Sequence, residues 1–206
     1  MSVKGIDVSH WQGVIDWPAV AASGVKFAII KAGGSDAGFY RDSCFERNYW
    51  GAVNAGLEVG AYYFIGPKML TKKDAEADAE RFFQIIKGKK FSMPIYLDVE
   101  TSDPKEKERA TEAAIYFCRY LEARGYFVGI YASDLSGFRD RLDVSKLYDF
   151  TLWVARYGKK PQHVKNFDVW QNSSTGKVSG IWGNVDLDQM TRDLPGIIRK
   201  AHKNGY

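Results

Sequence analysis

Met93-Pro94-Ile95-Tyr96-Leu97-Asp98-Val99-Glu100 is a short apolar run that ends in two carboxylates. Proline is tolerated at the first residue of a strand and not in its middle, so a strand is predicted to begin at Pro94. Side chains alternate along a strand, which turns Asp98 and Glu100 to one side and Val99 to the other. Two acids on one face at the end of an interior strand belong in a polar cleft, because unpaired buried charges are expensive. Like charges at close range resist joint ionisation, so one of the two is expected to hold a proton near neutral pH. Taken singly, Asp98 could cap a following helix and Glu100 could be merely solvated. Paired on one face, they point to acid–base chemistry.

On either side of this run, strand-like and helical patterns alternate. Val3–Ser9, Lys26–Lys31, Glu58–Phe64 and Tyr126–Tyr131 read as strands, and Lys26–Lys31 is the near-continuous apolar run of a strand buried on both faces. Between them lie helical patterns that open at Asp16-Trp17-Pro18, Phe45, Thr71 and Asp103-Pro104. Those helices stop at Gly24, Gly56, Gly88 and Gly125, with cap residues and Pro at their starts and Gly past their ends. Beyond Tyr131 the rhythm changes. Leu135–Leu142 is expected as one short helix, followed by strands at Thr151–Ala155, Phe167–Gln171 and Val185–Leu187 and a C-terminal helix around Ile197 and Ile198.

Strand alternating with helix implies a parallel sheet with right-handed crossovers. Eight strands favour a closed α/β barrel, TIM-like, with parallel-type strands and few helices in its last third. The rival is an open doubly wound sheet. No Gly-x-Gly-x-x-Gly follows any strand, and Trp11 stands in the first loop where a phosphate cradle needs glycines. The whole chain, 1–206, is expected to be one domain.

In such a barrel the C-terminal ends of the strands share one mouth. Those ends supply Asp7, Tyr62, Asp98 with Glu100, Tyr131, Trp153, Gln171 and Asp186. Each has an ordinary structural account: Asp7 as a loop cap, Asp186 as a turn residue, Trp153 as core packing. Their joint convergence is the sharper signal. Two chemistries fit acids among aromatics. One is glycoside hydrolysis, in which one carboxylic acid protonates the leaving oxygen and others stabilise the oxocarbenium-like centre. The other is a divalent-metal site for phosphodiester cleavage. Phosphate-binding Arg or Gly-rich loops are missing near the acids, and aromatic faces suit stacked sugars, so sugar is ahead.

Composition narrows the partners. With 45% hydrophobic and 15% aromatic residues, the chain can build a core. A net charge of +4 without a basic stripe gives no reason to expect nucleic acid, although it mildly favours an anionic surface such as a bacterial wall. Cys44 and Cys118 lack metal or redox spacing and read as reduced, buried thiols. Neither a signal-peptide core nor a long apolar span is visible, so no membrane is expected. The expectation is a chain made in a cytoplasm or trimmed from a longer one.

Five ordered segments carry a family resemblance: Gly5–Gly13, Phe27–Ala32, Gly56–Phe64, Leu97–Glu100 and Val185–Asp188, with Leu152–Ala155 and Val169–Gln171 adding to them. Together they resemble glycoside hydrolase family 25, the lysozymes that act as N-acetylmuramidases, from about Lys4 to Met190. The resemblance implies a barrel of five β/α units followed by three strands, the (β/α)5(β)3 variant. It also implies hydrolysis of the β-1,4 bond between N-acetylmuramic acid and N-acetylglucosamine in bacterial peptidoglycan. By the same resemblance Glu100 matches the proton donor, Asp98 the second catalytic carboxylate, Asp7 and Asp186 the supporting acids, and Tyr62 the active-site tyrosine. The chain departs from the family at Ala32-Gly33-Gly34-Ser35, where many members carry Ala-Thr-Glu-Gly, and at Tyr63, where His is frequent. Those departures bear on the sugar contacts of the second and third loops.

The expected mechanism has Glu100, kept protonated by its acidic neighbours and partial burial, donate to the glycosidic oxygen. Asp98 orients the 2-acetamido group or holds a water, while Asp7 and Asp186 tune the pair. Trp11, Tyr131, Trp153 and Gln171 are expected sugar contacts. No cofactor and no metal is called for, and a monomer is expected. Two alternatives stay open: a non-catalytic peptidoglycan-binding module, and a metal-dependent phosphodiesterase.

Overall fold

The computed structural model describes residues 2–206. Among the described residues, β1 (Val3–Val8), β2 (Phe27–Gly34), β3 (Tyr40–Arg41), β4 (Glu58–Phe64) and β5 (Ile95–Asp98) make up the first part of one sheet. β6 (Val128–Ser133), β7 (Thr151–Ala155), β8 (Val169–Gly176) and β9 (Val185–Met190) complete it. The strand order is β1-β9-β8-β7-β6-β5-β4-β2-β3, and β1 also pairs with β2. Eight strands therefore close into a barrel, with the two-residue β3 hung on β2 as an unanticipated hairpin.

Helices α1 (Trp17–Ala22), α2 (Phe45–Asn54), α3 (Lys72–Ile86) and α4 (Lys107–Glu122) pack outside it, and α5 (Leu194–Lys200) follows the last strand. Asp16 and Thr71 cap α1 and α3 through their side chains, as the sequence signals require. Leu135–Leu142, expected as a helix, is a run of turns instead. Gly137 lies so close to Ala132 and Ser133 that a Cβ there would clash, and Phe138 and Leu142 are fully buried. The segment follows the barrel wall closely, leaving no standoff for a regular helix.

Among the eight strands of the barrel, β9 is the exception to the parallel expectation. It runs antiparallel to both β1 and β8. A loop without a crossover helix joins β8 to β9, and such a short return can only reverse the chain. Asp186 consequently reaches the mouth from the N-terminal end of its strand. Asp188, two residues on, points the same way but one layer deeper.

The period of two sorts every wall residue. Outward, Ala28, Ile30, Tyr63, Leu97, Ile130 and Val154 join the core beneath the helices. Inward, Phe27, Ile29, Tyr62, Tyr96, Tyr131, Trp153 and Val169 fill the barrel. Gly5 lies under the Phe27 ring, and Gly129 under Tyr96; a Cβ at either would strike the ring. Cys44 and Cys118 are buried free thiols.

Tyr63 is among the residues turned outward. It is fully buried, stacks on Phe82 at 5.4 Å, and its hydroxyl donates to Asp78 Oδ1 at 3.4 Å. Ser35 Oγ donates to Asp78 Oδ2 at 2.8 Å and Arg81 Nη1 to Asp78 Oδ1 at 2.9 Å. The two departures from the family pattern thus meet in one network, and the Tyr63 change lies behind the wall, away from the mouth. Among the described residues, no helix is long and apolar enough to cross a membrane.

Candidate active site

The mouth is built by register. Asp7 on β1 faces Asp186 on β9, and Gly5 faces Asp188 one layer below. Asp98 ends β5 beside Tyr131 of β6, and Lys31 of β2 sits beside Tyr62 of β4. Asp7, Asp98 and Asp188 are buried, Asp186 is half-buried, and Glu100 stands exposed at the rim. Each of Asp7, Asp98, Glu100 and Asp186 is close enough to another to perturb it electrostatically. The structure thereby brings together the four acids anticipated from sequence.

One side chain organises the floor. Gln171 Nε2 donates to Asp7 Oδ2 at 2.7 Å, and its Oε1 accepts from the Tyr131 hydroxyl at 2.8 Å and the Tyr157 hydroxyl at 3.2 Å. Gln171 is nearly inaccessible and so holds the site from beneath, where a direct sugar contact was expected. Trp153 is a second correction. It is 1% exposed, its ring is packed against Tyr131, Tyr96 and Tyr62, and its Nε1 donates to Asp188 Oδ1 at 2.8 Å. An indole at mid-strand on the inner face fills the barrel and cannot stack on a ligand above it. Trp11, by contrast, is 79% exposed on a turn held by the reciprocal Ser9 and Gln12 cap.

Electrostatics set the proton inventory. Burial lifts Asp98 well above the usual carboxylate range, Glu100 adds to the rise, and Lys31 opposes it. Glu100 is raised as well, by the protein around it, while Lys31, a hydrogen bond with Asp98 and Arg141 pull it down. Acidic neighbours and partial burial were both expected to keep Glu100 protonated, and burial is the cause that raises it. In the structure, repulsion from Glu100 falls on Asp98 and Asp186 instead. Both carboxyls are thus raised, Asp98 the more strongly of the two. Burial also raises Asp7 strongly, Asp186 to about 6 and Asp188 to about 8.

Several residues of the site escaped the sequence reading. Lys31 lies over the rings of Phe64 at 4.6 Å, Tyr40 at 5.5 Å and Tyr62 at 5.9 Å, and is the cation that tempers the acid pair. Its place at the end of the second strand was the available signal. Asp188 shared a motif with Asp186 and was passed over. Trp182 is 95% exposed between Gly180 and Gly183, both at positive φ. It lies as far back from Asp186 as Trp11 lies beyond Asp7, and Gln12 Nε2 donates to the Asn184 carbonyl at 3.4 Å between the two loops. Beside Glu100 runs a groove of about 430 Å³ lined by Tyr131, Leu135, Ser136, Arg156 and Tyr157 among others. Asp134 anchors its wall, accepting from Arg156 Nη1 and from the backbone N–H groups of Gln162, His163 and Val164. Among the described residues no group of three or more His, Cys, Asp and Glu side chains is arranged to hold a metal ion.

Chemically, this is a pair of raised carboxyls at the lip of an open groove, with the exposed Tyr157 ring in its lining. The sequence profile of Glycosyl hydrolases family 25 matches residues 6–181. The chain is 34% identical over 193 residues to an autolytic lysozyme of Clostridium acetobutylicum, covering 93% of this chain and 57% of that protein. It therefore spans little more than half of that relative's length. Lysozyme M1 of Streptomyces globisporus is 31% identical over 219 residues, covering 97% of this chain and 71% of the other. The crystal structure of a bacterial lysozyme from Streptomyces coelicolor superimposes with a TM-score of 0.78 at 28% identity, over 98% and 99% of the two chains.

Proposed function

The chain belongs to glycosyl hydrolases family 25, and from that premise we propose that it is a lysozyme hydrolysing the β-1,4 bond between N-acetylmuramic acid and N-acetylglucosamine. Its substrate is bacterial peptidoglycan, and it acts at the cell wall as a monomer. The observation that carries this reading is the pairing of a buried Asp98 with a rim Glu100, both raised in pKa, beside an open groove.

The roles follow from depth. A glycosidic oxygen entering the groove meets Glu100 first, so the proton held near neutral pH by this pair passes through Glu100 to the leaving group. Loss of that proton leaves Asp98 ionised beneath the anomeric centre. There it orients the 2-acetamido group for attack or holds the water that attacks. Asp186, raised only to about 6, supplies negative charge toward the oxocarbenium-like transition state, and Asp7, opposite it on β1, orients it. Gln171 keeps Asp7 in place. Tyr62, Trp11, Tyr131 and Tyr157 line the route of the glycan, whose flat rings suit aromatic faces.

Mass spectrometry of digested peptidoglycan tests the assignment. Muramic acid at the new reducing ends supports it; glucosamine there would make the protein a glucosaminidase. Binding to walls without any new reducing ends would make it a binding module.

A further inference from the structure

A second cavity, of about 510 Å³, lies between the loop after β2, the loop after β4 and the first half of α3. Its lining is charged in both signs. Asp36, Asp74 and Asp78 supply carboxylates, and Lys68 and Arg81 supply cations. No aromatic ring lines it, whereas the groove beside Glu100 carries Tyr131 and Tyr157. Flat sugars favour ring faces, so the two cavities suit different parts of a ligand.

The walls of this cavity are fastened together. Ser35 Oγ donates to Asp78 Oδ2 at 2.8 Å and accepts the Gly66 N–H at 3.3 Å, so one hydroxyl ties all three segments. A Cβ on Gly66 would lie 2.8 Å from the Ser35 carbonyl oxygen, which leaves the two loops no slack. Ser35 and Tyr63, the two departures from the family pattern, both donate to Asp78 and so shape this floor. Arg81 is held on two sides, by Asp78 Oδ1 at 2.9 Å and by the Phe39 ring 5.5 Å from its guanidinium carbon. One N–H of that guanidinium is engaged and the side chain is half-exposed, which leaves donors for an incoming carboxylate. Asp36, Lys68 and Asp74 enter no ion pair among the described residues. A ligand bearing both a carboxylate and an ammonium would satisfy both sets of charges; a neutral one would satisfy neither.

The cavity also adjoins the acid pair. Ile65, which precedes Gly66 of the lining, donates its N–H to the Asp98 carbonyl at 3.1 Å. Its own carbonyl accepts the Thr101 hydroxyl at 3.1 Å, and Thr101 directly follows Glu100. Whatever occupies the cavity therefore sits against the loops that carry the chemistry.

We propose that this cavity is a peptide subsite, which receives a zwitterionic segment of the stem peptides that hang from muramic acid. Those peptides are the charged part of peptidoglycan, with free carboxyl groups and, at a diamino acid, a free amine. Arg81 and Lys68 take the carboxylate, and Asp36 and Asp74 take the ammonium. The inference rests on the muramidase reading, because the peptides bear on turnover only if the glycan beside them is cut.

The test uses the whole chain and two substrates: peptidoglycan with its peptides, and the same glycan stripped of them by an amidase. Wild type should cleave the peptide-bearing glycan with kcat/KM roughly tenfold above the stripped one, mostly through KM. Arg81→Ala and Lys68→Ala should each bring the two substrates to within about twofold of one another. A second measurement needs no catalysis. Titrating ¹⁵N-labelled protein with a synthetic tripeptide of alanine, γ-linked glutamate and lysine should shift the amides of Ser35, Gly66 and Ala77. Acetylating the lysine amine should weaken that binding more in wild type than in Asp36→Asn. Equal kcat/KM on the two substrates, a preference that survives both alanine variants, or a tripeptide that shifts no amide around the cavity overturns the proposal. So does an acetylated tripeptide that binds as well as the free one. Failure of the muramidase reading would show separately, as wild-type protein that releases no reducing ends from either substrate while the tripeptide still binds.

Discussion

Gln171 Nε2 donates to Asp7 Oδ2 at 2.7 Å across 164 residues of sequence. The same amide accepts from Tyr131 and Tyr157, so a single neutral side chain ties β8 to β1, β6 and the loop after β7. Replacing it by Leu leaves the buried Asp7 oxygen and the Tyr131 hydroxyl without partners, a loss of about 1–3 kcal/mol for each group. Gln171→Leu is expected to melt several degrees lower and to lose activity beyond what its melting explains. Thermal unfolding and reducing-end release, measured on the same preparation, check both parts.

Glu100 is exposed, so its amide should be harmless to the fold. Glu100→Gln is expected to unfold at the wild-type temperature while releasing reducing ends about 10²–10⁴ times more slowly, the range for loss of a general acid. Activity within tenfold of wild type would remove Glu100 from the donor role.

Lys31 lowers the pKa of both Asp98 and Glu100. Without the cation both carboxyls bind their proton more tightly, so each limb of the pH–rate profile moves to higher pH. For Lys31→Met the expected displacement is about one pH unit, and Lys31→Arg should restore the original profile. A profile that stays in place, with only its height reduced, would limit Lys31 to packing.

Stability should depend on pH in an unusual direction. Asp7, Asp98, Asp186 and Asp188 all have pKa values raised on folding. Between their unfolded values, about 4, and their folded ones, the native state binds more protons than the unfolded chain. Stability therefore falls as pH rises through about 6 for Asp186 and about 8 for Asp188. Asp134, lowered by backbone donors and Arg156 against its burial, works the other way and loses its contribution only in stronger acid. Melting temperature should decline from pH 5 to pH 8 in calorimetry, and Asp186→Asn should flatten the lower part of that decline.

Trp182 is held out at the tip of its loop at 95% exposure, and that loop meets the Trp11 turn through Gln12 and Asn184. If both rings stack on the glycan, Trp182→Ala should raise KM on intact walls roughly threefold to tenfold, the worth of one aromatic contact, with a much smaller change in kcat. An unaltered KM would assign the ring to something other than the glycan.

Much of the site was legible one-dimensionally. Asp7, Asp98 and Glu100 terminate apolar runs, and alternation along a strand is strong enough to say which side they take. Trp153 shows where that reasoning stops. Alternation sends it inward correctly, but whether an inward ring is floor or ligand platform depends on its height in the barrel. Height is set by the register of β7 against β6 and β8.

From sequence alone came the barrel, the family and the four acids at its rim, because these depend on local period and on residues at strand ends. Tertiary structure alone decided that β9 runs backward, which lifts Asp186 to the mouth and sinks Asp188 beneath it. It also decided where the protons reside. The charge state of a carboxyl follows from how much water the closed barrel excludes and which neighbours it brings near, and those properties exist only once the chain has packed.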